Sequence, residues 1–484
     1  MKKLTDILKN TPVREVCGDT AAAIGGLVYD SRAVKPGDCF FAVPGTQSDG
    51  HDYIPMAVEK GAAAIVCERM PADAAGGVAY VLVGDSAGAM ADMAAAFYDY
   101  PSRELKLVGI TGTNGKTTTA TLLYDLVRAM GYKAGLISTV VYKIDGREVE
   151  ATHTTPDSIR LNAMMREMAD AGCAYCFMEC SSHAIVQERT RGLDFAGGIF
   201  SNITHDHLDY HKTFAEYIRA KKLFFDGLPK GAFALTNADD RNGRVMVQNT
   251  AAAVSAYSLR AMADFRCKIV EMHLDGMLLR IDGQELWVGL LGRFNAYNLL
   301  AVYGAAALLG LDRGEVLRVL SMLHAVSGRF EKIRAANGTT AIVDYAHTPD
   351  ALENVIQTIE EIRTPGQQLI VVCGCGGDRD RTKRPEMAAI AVKYATTAVF
   401  TSDNPRHESP EAILDDMVAG LEPGARYLRI ADRAEAIRTA VMLSRPGDII
   451  LVAGKGHETY QIVGDVKHPF DDREEIKKRF ALLN

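Results

Sequence analysis

The chain has 484 residues, too many for one hydrophobic core, so two to four domains are expected. Its composition is that of an ordinary soluble globular protein, 48% hydrophobic and 24% charged. The formal charge of -7 argues against nonspecific nucleic-acid binding, so an anionic ligand must be attracted by local clusters of Arg and Lys.

The opening MKKLTDILKNTPV has no apolar run long enough for a signal peptide, and no segment reaches membrane-spanning length. A cytoplasmic protein without membrane insertion is expected. Up to about Tyr100, short apolar runs mix with Gly- and Pro-rich turns (GGLVYDSRAVKPGDCFFAVPG) and lead into the Ala-rich helical stretch SAGAMADMAAAFYDY. That pattern predicts a small α/β domain over 1–101, with Pro101 marking the linker.

A second block, 102–329, opens with the apolar run LKLVGI, a glycine loop, and a helix carrying Leu122, Leu123, Leu126 and Val127. Further apolar runs at AYCFMEC, GGIFSNIT and GAFALTNA, separated by helical stretches, predict a mainly parallel sheet flanked by helices. Cys173, Cys176 and Cys180 read as small hydrophobes of a buried strand rather than a metal site, as do Cys373 and Cys375. Nine cysteines in so long a chain do not suggest a disulfide framework.

In the third block, 330–484, the runs TTAIVDYAH, QQLIVVCGCGG, TTAVFTSDNPR and GDIILVAGKG each end in a polar or glycine-rich loop, with helical segments such as PEAILDDMVAGL between them. This predicts a Rossmann-like sheet whose ligands gather at the carboxyl ends of its strands. The expected fold class is therefore α/β with three domains, bounded at 1–101, 102–329 and 330–484.

The loop TGTNGKT departs from the common phosphate-loop spacing, because the position five before Gly115 is Ile110. Gly112 and Gly115 still permit tight turns that face backbone N–H groups toward a phosphate at a helix start. Lys116 supplies a positive charge for the β- and γ-phosphates, and the Thr117 hydroxyl is placed to bind Mg2+. Glu179 closes its strand where a carboxylate suits a hard cation. NITHDHLDYH, 202–211, adds three histidines and two aspartates; composition alone leaves Mg2+, zinc and a plain polar helix start open.

TGTNGKT resembles the ATP loop of the Mur ligase superfamily, which also contains folylpolyglutamate synthetases. The likeness extends over nearly the whole chain. It covers VYDSR (28–32), HTTPD (153–157), MECSSHAIVQER (178–189) and DHLDYH (206–211). It continues through RAKKLF (219–224), GRFNAYN (292–298), SGRFE (327–331) and DYAHTPDAL (344–352). DNPR, Asp403 to Arg406, alone reads as a proline-set turn. In this company it resembles the signature of family members that add meso-2,6-diaminopimelate, and lysine-adding relatives lack its arginine. The extra carboxylate of diaminopimelate suits the guanidinium fork, and an unpaired guanidinium penalises lysine.

The resemblance implies an ATP-dependent amide ligase acting on UDP-N-acetylmuramoyl-L-alanyl-D-glutamate. ATP phosphorylates the free carboxylate of the substrate, and the incoming amine displaces phosphate from the acyl phosphate. It implies an ATP site of Thr111, Gly112, Thr113, Asn114, Gly115, Lys116, Thr117, Asn295, Arg329 and Asp344, with His347 nearby. Thr117, Glu179, His207 and a carbamylated Lys221 would hold Mg2+, and Lys116, Lys221 and His207 would be the catalytic residues. The adjacent Lys222 is the rival position for the modified lysine.

The resemblance further implies that Ser31 contacts uridine and that Thr154, Thr155, Ser181, Gln187 and Arg189 line the muramoyl-peptide channel. Diaminopimelate would meet Arg379, Asp403, Asn404, Pro405, Arg406, Gly454 and Glu458, with Glu458 accepting its remote ammonium. The other arginines of GGDRDRTKR are balanced between ligand contact and a solvated helix start. A monomer is expected. The rival functions are a lysine-adding ligase, a folylpolyglutamate synthetase, a nucleotide-sensing regulator and a zinc hydrolase resting on HDHLDYH.

Overall fold

Three principal sheets organise the computed structural model, which describes residues 1–45, 48–151, 153–204, 206 and 208–483. The first has five strands, in the spatial order Val13–Cys17, Ala79–Val83, Ala64–Cys67, Cys39–Phe41, Leu27–Val28. Helix Ser86–Phe97 packs on it, started by Asp85, whose side chain accepts from Gly88 N. An aspartate at that position satisfies one of the orphan N–H groups of a first turn.

The second sheet has eleven strands. Lys106–Thr111 lies at its heart, parallel to Tyr175–Glu179 on one side and Gly197–Phe200 on the other. Ala134–Ile137, Phe233–Asn237 and Ala253–Ser258 extend the parallel region. The expected parallel sheet is thus present, but both ends are antiparallel. Val141–Ile144 pairs with Arg147–Glu150 at one end, and Phe265–His273, Gly276–Ile281 and Gln284–Val288 form a ribbon at the other. Asp145–Gly146 and Asp282–Gly283 turn these hairpins with φ of 46° and 90°, and 46° and 87°. Two left-handed central residues match the right-handed twist of flanking strands, and Asp-Gly is their usual sequence. Those local turn signals mark antiparallel ends that the apolar periodicity, which suggested a mainly parallel sheet, did not locate.

The third sheet has six strands, in the order Glu331–Arg334, Thr340–Asp344, Ile449–Ala453, Leu369–Cys373, Thr397–Phe400, Tyr427–Arg429. All neighbours are parallel except the first pair. The four expected runs form its centre. The two edge strands were not apparent because they are short and half-buried or exposed, leaving no apolar run to read.

Packing around Lys106–Thr111 decides where the chemistry can sit. The following helix, Lys116–Ala129, buries Leu122, Leu123, Leu126 and Val127 completely. Full burial of each such side chain is worth about 1.5–3 kcal/mol. On the other face, Gly109 and Gly198 stand opposite each other on neighbouring strands. A Cβ on Gly109 would lie 2.5 Å from the Phe224 ring, and one on Gly198 2.7 Å from it. The two glycines form a slot for Phe224, which seats helix Phe214–Asp226 directly on the sheet and turns Lys221 toward the glycine loop. Among the described residues, no helix is long and apolar enough to cross a membrane.

Candidate active site

The glycine loop joins strand Lys106–Thr111 to helix Lys116–Ala129 at the carboxyl edge of the sheet. Gly112 has φ 152°, and a Cβ there would sit 1.9 Å from Ser201 Oγ. Gly115 has φ 87°, and a Cβ there would sit 2.4 Å from Asn298 Oδ1. Both positions therefore need glycine on conformational and steric grounds. Asn202, two residues past the end of the neighbouring strand Gly197–Phe200, braces the loop. Its Oδ1 accepts from Asn114 N at 2.9 Å, and its Nδ2 donates to Asn114 O at 3.0 Å. Thr113 N donates to Asn202 O at 2.8 Å, while the Thr113 hydroxyl lies 3.1 Å from that of Tyr217.

Two lysines converge on this loop. Lys116 Nζ donates to Gly112 O at 3.0 Å and Thr113 O at 2.8 Å, and Lys221 Nζ donates to Gly112 O at 2.8 Å. Burial lowers the pKa of Lys116, while Glu179 and Asp206 oppose that shift. Lys221 is fully buried 4.5 Å above the Tyr217 ring, and burial followed by the charge of Lys116 holds its pKa well below the usual lysine range. Lys222 points elsewhere, paired to Asp226 at 2.6 Å. Of the two rival lysines, only Lys221 reaches the loop.

Glu179 ends its strand with a carboxylate that is 1% exposed and bonded by Thr139, from N at 2.7 Å and from Oγ1 at 3.2 Å. Thr139 Oγ1 lies 3.1 Å from Thr154 Oγ1. Thr155 Oγ1 donates to Glu179 O at 2.7 Å and accepts from Ser181 N at 3.2 Å. Arg189 donates to Thr155 O at 2.6 Å and, through Nε and Nη2, to Gln187 Oε1 at 3.0 and 2.6 Å. The expected channel residues Thr154, Thr155, Ser181, Gln187 and Arg189 thus form one connected cluster beside Glu179. Ser31 is buried in a short 3-10 turn of the first sheet's block. Its neighbour Tyr29 lies close enough to Asp157 and Arg189 to feel both charges.

His207 lies outside the described residues, as does His205. His211, from the same run, is buried with Nε2 2.8 Å from Ser182 Oγ. All nine cysteines are free, and burial raises the thiols of Cys173, Cys176 and Cys180.

The end of the second block and the start of the third meet at the same place. Arg329 Nη2 lies 3.3 Å from Thr117 Oγ1, and its guanidinium stacks 4.5 Å from the Tyr345 ring. Arg329 Nε is buried without a partner in the structure, a donor suited to an incoming anion. Asp344 accepts from Phe330 N at 2.7 Å, and burial pushes its carboxyl up to about 6 against the opposing pull of Arg329. Asn295 is buried in the first turn of helix Arg293–Leu308, donating to Leu291 O at 2.7 Å and accepting from Asn298 Nδ2 at 3.2 Å. His347 Nδ1 lies 2.8 Å from Tyr345 O, and burial lowers its pKa.

At the carboxyl ends of the third sheet, DNPR and the run GKGHE, 454–458, face each other. Gly454, with φ 117°, leaves room for Asp403, whose Oδ2 would be 2.4 Å from a Cβ there. Asn404 Nδ2 donates to Glu458 Oε2 at 2.9 Å, and Lys455 Nζ reaches the same oxygen at 3.0 Å. Glu458 therefore has a resident cation as well as the ammonium expected for it. Pro405 O crowds Gly377, whose Cβ would lie 1.9 Å away. Arg406 has φ 50° and donates to Gly377 O at 2.8 Å. Bonds from Arg406 N to Ile462 O and from Gly464 N to Arg406 O, 3.1 and 2.8 Å, fasten it to hairpin Tyr460–Pro469. Arg379 is exposed and donates to Asp378 O at 3.1 Å; its charge, after burial, lowers the pKa of Arg406. Of the remaining basic run, Arg384 is not solvated: it is fully buried, bonding Glu408 and Asp416. It props the loop from behind.

Sequence reasoning missed Asn202, Asn298, Thr139 and Lys455. The first two sat inside quoted motifs, but neutral amides signal no chemistry until their backbone partners are known.

Residues 23–98 match the Mur ligase family catalytic domain, 110–306 the Mur ligase middle domain, and 328–456 the Mur ligase glutamate ligase domain. The chain is 55% identical over 481 residues to the UDP-N-acetylmuramoyl-L-alanyl-D-glutamate--2,6-diaminopimelate ligase of Phocaeicola vulgatus, covering 99% of each chain. It is 44% identical over 480 residues to the enzyme of the same name from Chlorobaculum tepidum, covering 96% of this chain and 94% of that one. A solved structure of a UDP-N-acetylmuramoyl-L-alanyl-D-glutamate--2,6-diaminopimelate ligase superposes with a TM-score of 0.71 at 31% identity, covering 100% and 99%. MurF ligase from Thermotoga maritima in complex with ADP shares the fold, with a TM-score of 0.64 at 19% identity over 95% and 97% of the two chains. The chain belongs to the Mur ligase family.

Proposed function

We propose that the chain is an ATP-dependent amide ligase that joins meso-2,6-diaminopimelate to UDP-N-acetylmuramoyl-L-alanyl-D-glutamate, a step of peptidoglycan synthesis. One observation carries the reading. Asp344 ties the phosphate end to the amino-acid end, because its carboxylate accepts from Phe330 N, beside Arg329, while its carbonyl accepts from Gly454 N at 3.0 Å. An amine held at the DNPR and GKGHE loops therefore lies next to groups that handle the phosphates.

The reaction has two steps. A carboxylate oxygen of the substrate attacks the γ-phosphorus and ADP leaves; the diaminopimelate nitrogen then attacks the acyl carbon and phosphate leaves. In phosphoryl transfer, positioning and neutralisation of charge do most of the work. Lys116 and the unpartnered Nε of Arg329 serve that purpose here. Arg189, beside Thr155, is the natural partner of the substrate's acidic end. Arg406 and Arg379 receive carboxylates of the amino acid, and Glu458 an ammonium. Residues 1–101 hold the uridine end, 102–329 the nucleotide, and 330–484 the amino acid. Their approach keeps water from the acyl phosphate.

The donors fit a magnesium site. Thr117 offers a hydroxyl and Glu179 a buried carboxylate, both oxygen ligands of the kind a hard cation takes. Lys221 as an ammonium would not fit, but burial lowers its pKa and so favours the neutral amine that can capture carbon dioxide. Carbamylation would turn it into an oxygen donor and end the sharing of Gly112 O by the two lysines. When bound, Mg2+ would neutralise charge on the phosphates.

Phosphate release from ATP in the presence of the UDP-dipeptide tests the proposal. Release should depend on diaminopimelate and be weak with lysine. Nucleotide binding without consumption when both acceptors are present would overturn it.

A further inference from the structure

We infer that Asp350 is a positioning residue through which the third block sets the shape of the phosphate loop. Asp350 lies in the first turn of helix Pro349–Ile362, which Thr348 caps by accepting from Ala351 N. One oxygen of its carboxylate, Oδ2, accepts two bonds from the second block: Asn114 Nδ2 at 3.0 Å and Thr204 Oγ1 at 3.3 Å. Asn114 is the tip of the glycine loop. Thr204 lies in the segment that leads to Asp206, a residue whose charge acts on both Lys116 and Lys221.

These bonds close a ring. Thr204 N donates to Thr113 Oγ1 at 3.0 Å, and Asn114 is held on its other side by Ser201 Oγ, which donates to Asn114 O at 2.6 Å. The second block thus supports the backbone of the loop, while a carboxylate that belongs to the third joins the side chains of Asn114 and Thr204. The site is mostly sheltered, and burial raises the pKa of Asp350. When the third block is docked, Asn114 and Thr204 are oriented together; without it, each loses the acceptor that aligns it. Misplacing a reacting group by about 1 Å can cost on the order of a hundredfold in rate.

This inference rests on the reading above for what the loop binds, and its test has a readout independent of turnover. Because both bonds end on one oxygen, Asp350→Asn can keep them through its amide oxygen, whereas Asp350→Ala cannot. In the full-length protein, Asp350→Ala should lower kcat for phosphate release by about tenfold or more, with KM for diaminopimelate changed less than about twofold. ADP affinity, by calorimetry without other substrates, should fall about fivefold in the alanine variant and stay within about twofold in Asp350→Asn. Thr204→Val removes one partner without touching Asp350 and should fall between the two.

An Asp350→Asn variant as impaired as the alanine one would overturn the inference by showing that charge, not acceptance, matters. Alanine and valine variants with unchanged ADP affinity would overturn it too. An inactive wild-type protein would instead overturn the proposed reaction, leaving the ADP titrations to judge Asp350.

Discussion

At the phosphate loop, the unusual backbone geometry falls on Gly112 and Gly115, which adopt it freely, and the cations are lysines turned onto the loop's own carbonyls. At the DNPR loop the left-handed residue is Arg406 itself, with φ 50°, held in place by two backbone bonds to a hairpin. A non-glycine residue in that region costs about 1–3 kcal/mol and persists only where its surroundings impose it. The phosphate end is thus relaxed and general, since every nucleotide presents the same phosphates. The amino-acid end is strained and particular, as the proposed selection of diaminopimelate over lysine by one carboxylate would require. Besides Lys455, which is paired to Glu458, its cations include Arg379 and Arg406, and the planar fork of an arginine recognises a carboxylate by geometry as well as charge.

Breaking the phosphate end should give the largest effect. Lys116→Met, of similar length but without charge, should lower kcat by about a thousandfold while the protein still melts cooperatively. Lys221→Ala should lower kcat by about a hundredfold or more, and acetate or another short carboxylic acid should restore part of it. Full activity in unsupplemented Lys221→Ala would remove this lysine from the site.

The amino-acid end should fail differently. Arg406→Met should reduce kcat/KM for diaminopimelate about a hundredfold, the range seen when one partner of a buried charged pair is truncated, and leave the slow reaction with lysine nearly unchanged. Steady-state kinetics with both amino acids decides this. Equal losses for the two would mean that Arg406 shapes the loop rather than reads the carboxylate.

Asp344 joins the two ends, so it tests whether they are separable. Its carboxyl is raised from 3.8 to about 6, so between those values the folded protein holds a proton that the unfolded chain has released. Stability therefore falls as pH rises through this window and stays lower above it. Asp344→Asn can keep the bond from Phe330 N without carrying charge. Denaturant unfolding should find the variant little changed near pH 4 and more stable by up to about 3 kcal/mol at pH 7, the linkage value of a two-unit shift. Its KM for ATP should nevertheless rise. A stability difference that does not vary with pH would show that burial does not hold this carboxyl protonated.

The same contrast explains what the sequence disclosed. The glycine loop, its lysine and the strands with continuous apolar runs were legible because each residue type answers a local demand, of which Gly112 and the fully buried Ile110 are examples. The antiparallel ribbons at 141–150 and 265–288 were not, since their information lay in two Asp-Gly pairs and not in periodicity. The roles of Asn202 and Asp350 depend on partners 88 and 236 residues away, which no local pattern encodes. Arg384 and Arg379 belong to one basic run, yet one is fully buried as a prop and the other exposed; only the partners Glu408 and Asp416 separate them.

The smallest predicted effect discriminates between adjacent residues. Lys221 and Lys222 are alike in sequence, and within RAKKLF only the alanine that precedes Lys221 favours it. The Phe224 slot formed by Gly109 and Gly198 fixes the rotation of the helix and sends Lys221 inward, leaving Lys222 to pair with Asp226 four residues on. Such i,i+4 pairs are worth about 0.3–0.5 kcal/mol. Lys222→Ala should therefore change kcat by less than about twofold and the melting temperature by about a degree or two, and acetate should have no effect on it. A large loss of activity in Lys222→Ala would mean that the helix is rotated from the position the two glycines impose, and the claim that packing selects the reactive lysine would fail with it.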